Sequence, residues 1–177
     1  CDPITSASVA HIGRLTVHVS CNDAAAAGAE PVGLLVTLLM PPTGTMEQIS
    51  RIADDLSSAA QFANVDILGG HTEVTDAVTR AVSSATVIAR QPRHQVLRGM
   101  HPGDDIVMTK YAAVEGTTIL AEDFADRLSS VPAGMLDAAR SLAGKLSIVA
   151  ESRIAMRYGA VAMHDVTEGG VLGASWE

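Results

Sequence analysis

Aromatic side chains are almost missing from this chain: 3% of 177 residues, with one tryptophan, two tyrosines and two phenylalanines. Its interior must therefore be filled by aliphatic and small residues. At 47% hydrophobic there are enough of them for one large domain or two small ones. Cysteine is equally scarce. Cys1 and Cys21 offer neither a disulfide framework nor a CxxC metal spacing, which favours a reducing, cytoplasmic setting. Positive charge is in deficit, 12 Lys and Arg against 20 Asp and Glu, for a formal net charge of −8. That balance argues against a nucleic-acid partner, which needs clustered basic residues. An acidic chain still reaches a polyphosphate when divalent cations mediate the contact. The longest apolar run, Val32–Met40, is too short to cross a bilayer and is closed by Pro41-Pro42, so no membrane span is expected. No basic stretch followed by an apolar one opens the chain, and neither GxGxxG nor GxxxxGK[ST] occurs, which disfavours Rossmann and P-loop readings. The chain opens on Cys1 and stops at Trp176-Glu177 within a helical pattern, so truncation at both ends is expected.

Alternation in Leu15, Val17, Val19 and Cys21 against Thr16, His18 and Ser20 predicts a half-buried strand ending at Asn22-Asp23, ahead of the alanines at 24–27. Gly28 to Pro31 turns the chain into Val32–Met40, whose near-continuous apolar character predicts a strand covered on both faces. Thr45 and Gln48 form a possible capping box for a helix with Ile49, Ile52, Ala53, Leu56, Ala60 and Ala63 on one stripe, stopped at Asn64. Val65–Leu68 reads as a short strand broken by Gly69-Gly70, and Ala81–Arg90 as another strand. Two prolines and two glycines in 91–103 suggest a linker, which sets the domains at 1–91 and 92–177. Beyond it, Asp104–Tyr111 and Ala160–Met163 read as strands. Thr117–Leu128, Pro132–Lys145 and Ser147–Tyr158 read as helices, the last stopped by Gly159, and His164–Gly170 as a loop into a final helix.

Asp2, Asn22-Asp23 and Glu73 all fall at expected strand exits, where several oxygen ligands suit a hard cation such as Mg²⁺. Each has an alternative reading as a turn or cap residue. Gly69-Gly70 would let a phosphate approach the backbone, or would simply turn the chain. His71 reads as a ligand, a base or a hydrogen-bonding turn residue. In the second half, Asp165 is placed to reach a metal or substrate, Thr167 to donate to an anion, and Gly169-Gly170 to open a helix; capping is the alternative for Asp165 and Thr167. Lys110 with Glu115, Gly116 and Thr117 reads either as a substrate loop or as a strand-to-helix turn.

Together the leading Asp2, IGRLTVHVSCNDAAAAGAEP at 12–31, ILGGHTEV at 67–74, GMHPGDDIVMTK at 99–110 and HDVTEGGVLGA at 164–174 resemble, in order and separation, the aminoimidazole ribonucleotide (AIR) synthetase superfamily. That superfamily includes the hydrogenase-maturation carbamoyl dehydratase, thiamine-monophosphate kinase, selenophosphate synthetase and formylglycinamidine ribonucleotide synthetase. The similarity is greatest to the AIR synthase-related branch near the carbamoyl dehydratase. The resemblance implies an α/β chain of the α+β type. Its N-terminal mixed-sheet domain would contribute half of an intersubunit β-barrel in a homodimer, and a C-terminal α/β domain would follow. It further implies ATP and Mg²⁺ as cofactors, with ATP between subunits and domains. The implied nucleotide-binding residues are Asp2, Asn22, Asp23, Gly69, Gly70, His71, Thr72, Asp165, Thr167, Gly169 and Gly170, with Asp2, Asp23 and Glu73 toward the metal. Phosphoryl transfer from ATP would activate a small-molecule or protein-borne acceptor. An accessory protein that binds ATP and a partner without turnover is the alternative. Relatives usually carry Asp or Glu immediately after the Gly-Gly pair, where this chain has His71. Their glycine-rich N-terminal segment and cysteine-bearing tail lie outside this sequence, so the carbamoyl dehydratase reaction is not itself implied. The expected homodimer also follows from the apolar strands Leu15–Cys21 and Val32–Met40, whose edges need covering.

Overall fold

Residues 12–26 form a helix, α1 (Ile12–Ala26), where alternation predicts a strand. The reason is burial all round. Ile12, Leu15, Thr16, Val17, Val19, Ser20 and Cys21 are all buried, so no exposed face marks a helical period. Two hydroxyls in this run find backbone acceptors: Thr16 Oγ1 donates locally to the Ile12 carbonyl at 2.7 Å, and Ser20 Oγ to the distant Ala85 carbonyl at 3.4 Å. Small residues let neighbours approach. A Cβ on Gly13 would lie 2.6 Å from the Leu56 amide nitrogen, and the Arg14 amide donates to Asp55 Oδ2 at 2.7 Å. The alanines at 24–27 supply the high helix propensity that carries α1 to its end.

The structure is a computed structural model that describes residues 2–91 and 99–176. Among them are six α-helices and one three-stranded sheet. The chain divides into two compact units, Cys1–Ala24 with Pro31–Arg90, and Ala25–Glu30 with Gln91–Glu177. No helix among the described residues is long and apolar enough to cross a membrane.

In the first unit, β1 (Glu30–Met40) is the central strand of a mixed sheet ordered β2-β1-β3. Helix α2 (Met46–Ala63) carries the expected capping box: Thr45 Oγ1 accepts the Gln48 amide at 3.2 Å, and Gln48 Oε1 accepts the Thr45 amide at 3.0 Å. It ends where expected, on Asn64 in the left-handed conformation at φ 56°. Ile52, Leu56, Ala59 and Ala60 are its buried residues, whereas Ala53, placed on the same stripe by the sequence reading, is exposed.

Strand β2 (Asp66–Val74) runs parallel to β1 and continues straight through Gly69-Gly70, so the glycines do not end it. Leu34 pairs with Ile67 and Leu35 with Gly69, which leaves Leu68 as an extra residue in a bulge. The displaced Leu68 side chain lies over Gly33, where a Cβ would come within 2.6 Å of Leu68 Cδ1. Strand β3 (Val82–Arg90) is found where Val, Thr and Ile predict it, with Ser83 bridged antiparallel to Ile4. Among the described residues, β1 buries Leu34, Val36, Leu38 and Met40 on one face of the sheet. The other face exposes Leu35 at 43%, Leu68 at 58% and Ile88 at 43%, contrary to the expectation of a strand buried on both sides.

In the second unit, α3 (Val114–Asp123) packs on α4 (Ala133–Ser141), and Arg140 Nε donates to the Ala121 carbonyl at 3.1 Å. Helices α5 (Val149–Arg157) and α6 (Gly170–Trp176) follow, with Gly159 just past α5 at φ +85°. These match the sequence reading closely. Asp104–Tyr111 and Ala160–Met163 do not: no strand is present at either. Ile106, Val107 and Met108 are all exposed, so their β-pattern has no neighbouring strand within these residues to pair with. Most of the expected linker, residues 92–98, lies outside the described residues.

Candidate functional site

Asn22 and Asp23 lie inside α1, one turn before its end, rather than at a strand exit. That removes the N-cap reading of this pair, because a cap residue stands outside the helix it opens. Asn22 is buried and Asp23 half-buried. The carboxylate is felt two residues away, where burial first and the Asp23 charge second push the Cys21 thiol up to about 11. Asp2 is exposed ahead of the Ile4–Ser83 bridge.

Gly69 and Gly70 adopt φ +152° and +150°, which an L side chain rarely takes. A Cβ on Gly70 would sit 1.8 Å from the Val36 carbonyl oxygen, so this glycine is required by the approach of β1. The functional reading of the Gly-Gly pair as a phosphate seat therefore stands beside a structural requirement. Downstream, register pairs Thr37 with His71 and Leu39 with Glu73, which directs both side chains to the open face of the sheet. There His71 Nε2 donates to Glu73 Oε2 at 3.3 Å. Both side chains are well exposed, so the ion pair itself adds little stability.

In the second unit, the Asp165 side chain is largely enclosed, 13% exposed. Its Oδ2 is buried without a protein partner, while His164 Nδ1 donates to the Asp165 backbone carbonyl at 2.6 Å. A buried carboxylate oxygen without a donor suits a ligand-borne donor or a hard cation. The Gly170 amide donates to the Thr167 carbonyl at 3.1 Å as the chain enters α6, with Gly169 and Gly170 at φ +74° and +61°. Lys110, in the left-handed conformation at φ 57°, is tied inward: its ammonium donates to the Ser147 carbonyl and pairs with Glu151 Oε1 at 3.0 Å. Glu115, Gly116 and Thr117 lie in the first turn of α3 rather than in a loop, and Thr118 Oγ1 donates to the Glu115 carbonyl at 2.8 Å.

Among the described residues no three His, Cys, Asp or Glu side chains converge as a metal cage, so this chain alone does not gather Asp2, Asp23 and Glu73 around one ion. Mg²⁺ keeps several waters and takes one or two carboxylates plus substrate phosphates, so a cation needs no cage: in the second unit, taken by itself, the unpartnered Asp165 oxygen suits one. Glu151 and Ser152 on α5 are residues the sequence reading missed. Ser152 Oγ donates to the Ala25 carbonyl at 2.6 Å across 127 positions, a pairing with no local sequence signal.

Residues 2–90 match the family described as AIR synthase related protein, N-terminal domain, and residues 101–177 its C-terminal domain. The carbamoyl dehydratase HypE of Cupriavidus necator is 30% identical over 118 residues, covering 63% of this chain and 33% of that protein. The thiamine-monophosphate kinase of Bacillus subtilis is 29% identical over 124 residues, covering 68% of this chain and 38% of the kinase. The chain thus spans about a third of the length of these curated relatives. Among solved structures, hydrogenase maturation protein HypE in complex with ATP is similar at a TM-score of 0.63 and 26% identity, over 70% of this chain and 39% of that one.

Proposed function

The chain belongs to the AIR synthase related protein family, and from that premise we propose that it is an ATP- and Mg²⁺-dependent enzyme that passes a phosphoryl group from ATP to an acceptor. The observation that carries the reading is the similarity, at 26% identity, to a HypE structure that holds ATP. The family similarity extends through both halves of the chain. The acceptor is left as a small molecule or a protein-borne group, because the matched relatives include both a carbamoyl dehydratase and a thiamine-monophosphate kinase.

Phosphoryl transfer asks a protein mainly for positioning and charge neutralisation. In this reading Asp2, Asp23 and Glu73 hold the cation side of the nucleotide, and Asp165 contacts the nucleotide itself. Asn22, Gly69, Gly70, His71, Thr72, Thr167, Gly169 and Gly170 contact the nucleotide, and Lys110, Glu115, Gly116 and Thr117 belong to the acceptor side. Mg²⁺, when bound, supplies neutralisation of the phosphate charge. The acidic chain, at net −8, needs that cation to accept a polyphosphate. A homodimer in the cytoplasm completes the proposal: the open sheet face with Leu35, Leu68 and Ile88 is an apolar surface that a second copy would cover, as half of an intersubunit barrel.

Titration of purified protein with ATP in Mg²⁺ by calorimetry, alongside the Asp23→Asn variant, tests the assignment. Removing a charge-assisted contact should weaken binding roughly tenfold or more. Unchanged affinity in the variant would sink the metal assignment. One observation favours the non-catalytic accessory reading: Glu73 Oε2 is engaged by His71, the residue that follows Gly69-Gly70. ATP binding without ADP release across a panel of acceptors would support that alternative.

A further inference from the structure

Side chains two residues apart on a strand share one face of the sheet, and His71 and Glu73 of β2 share the open one. Their backbone is held by β1, where Thr37 is in register with His71 and Leu39 with Glu73. Immediately upstream, Gly70 lies tight against the Val36 carbonyl, so the register is fixed at this point. From this rigid base the two side chains lean together, leaving His71 Nε2 and Glu73 Oε2 3.3 Å apart. They are 66% and 53% exposed, so water reaches both donors.

Other histidine–acid pairs in the chain are arranged differently. His101 Nδ1 stands 3.9 Å from Asp104 Oδ2, which instead accepts the His101 backbone amide at 2.8 Å. His164 Nδ1 bonds the Asp165 backbone carbonyl at 2.6 Å and stands 3.8 Å from the carboxylate. At His71 and Glu73 the ring nitrogen and the carboxylate oxygen meet directly.

A converging nitrogen and oxygen suit a borderline divalent cation, whereas Mg²⁺ takes oxygen ligands. The separation discriminates further. Zn²⁺ lies about 2.0–2.2 Å from imidazole nitrogen and carboxylate oxygen, and two such ligands at the tetrahedral angle are about 3.3–3.4 Å apart. Octahedral Mg²⁺, at about 2.0–2.1 Å, needs neighbouring ligands about 2.8–3.0 Å apart. The 3.3 Å between Nε2 and Oε2 is the tetrahedral value, so an ion can replace the hydrogen bond with little movement of either side chain.

We propose that His71 and Glu73 form a two-ligand site for a borderline divalent cation of the Zn²⁺ class, on the open sheet face of the first unit. The neutral ring binds through Nε2, its proton then carried on Nδ1, and Glu73 binds through Oε2. Among the described residues no third His, Cys, Asp or Glu converges on the pair, so the other positions stay open to water and the ion exchanges readily. The inference goes beyond the nucleotide reading, which gives Glu73 to Mg²⁺, and it is tested without nucleotide.

The test is calorimetric titration of the nucleotide-free full chain with Zn²⁺ alone, in a Cys1→Ser background so that this thiol does not compete. Nitrogen resonances of the histidine rings are followed by NMR in parallel. Zn²⁺ should move the His71 Nε2 resonance, and a large excess of Mg²⁺ should neither move it nor displace the Zn²⁺. Even an outer-shell partner is commonly worth about 10- to 100-fold in metal affinity, so His71→Ala and Glu73→Gln should each weaken binding about tenfold or more. His101→Ala should leave it unchanged. Both side chains of the pair are well exposed, so the variants should fold as the parent does, with circular dichroism as the check. Zn²⁺ binding that survives both substitutions, or that leaves the His71 ring unmoved, would place the ion elsewhere and overturn the proposal. So would loss in Glu73→Gln alone together with displacement by Mg²⁺, which describes a carboxylate site for hard cations. The nucleotide reading stands or falls separately, on the Asp23→Asn titration with ATP.

Discussion

Replacing Gly70 with alanine should damage the fold far more than replacing Gly69, although the two glycines are adjacent and have nearly equal φ. At Gly69 a Cβ meets only Leu35 Cδ2, at 3.9 Å, so Gly69→Ala carries backbone strain alone, about 1–3 kcal/mol. At Gly70 the same strain is joined by a clash with backbone: the Val36 carbonyl oxygen at 1.8 Å, its carbon at 2.7 Å and the Val36 nitrogen at 2.8 Å. Backbone in the central strand yields only if β2 moves away from β1, and each ladder bond lost costs about 1 kcal/mol. Overpacking adds about 1–3 kcal/mol more. The gap between the variants should be about 2–3 kcal/mol. For a chain of this size that is roughly 5–10 °C in melting temperature. Thermal and urea unfolding followed by circular dichroism measure it. If the two variants melted together, or Gly69→Ala melted lower, the register that pairs Val36 with Gly70 would be wrong. The placement of His71 and Glu73 on the open face would fall with it.

Thr45→Ala removes the side-chain half of the capping box at the start of α2, the acceptor of the Gln48 amide, and should cost about 1 kcal/mol in urea unfolding, whereas Ser57→Ala on its exposed face should be near neutral. The pH dependence of stability follows from Cys21. A thiol raised in the folded state to about 11, from 9.0 when free, keeps its proton while the unfolded chain loses it. Its stabilising contribution is therefore complete below about pH 9 and is lost as pH rises toward 11, by at most about 3 kcal/mol. Unfolding in EDTA-containing buffer at successive pH values should show this fall in the wild type and a smaller one in Cys21→Ala. An identical fall in both would refute it. Light scattering at micromolar concentration should report a homodimer, and a charge placed at Leu35 on the open face should convert it to monomer. A wild-type monomer would refute the pairing.

Much of this protein is legible in the sequence because it rests on local chemistry. Thr45 and Gln48 cap α2 by bonds three residues apart, and Asn64 ends it because an αL residue suits that position. Strands β1 and β3 follow from runs of Leu, Val and Ile. The order of the motif segments pointed to the family that both halves match. What the sequence misread depends on burial. Helix α1 is enclosed on nearly every side, so its apolar positions carry no period that separates helix from strand. Asp104–Tyr111 alternates like a strand but has no paired neighbour among the described residues. Tertiary structure alone decided that Gly70 is demanded by the Val36 carbonyl, that His71 bonds Glu73 on an open sheet face, and that Ser152 reaches Ala25. Each of these depends on atoms brought together by strand register or by chain crossing, which residue order does not encode locally.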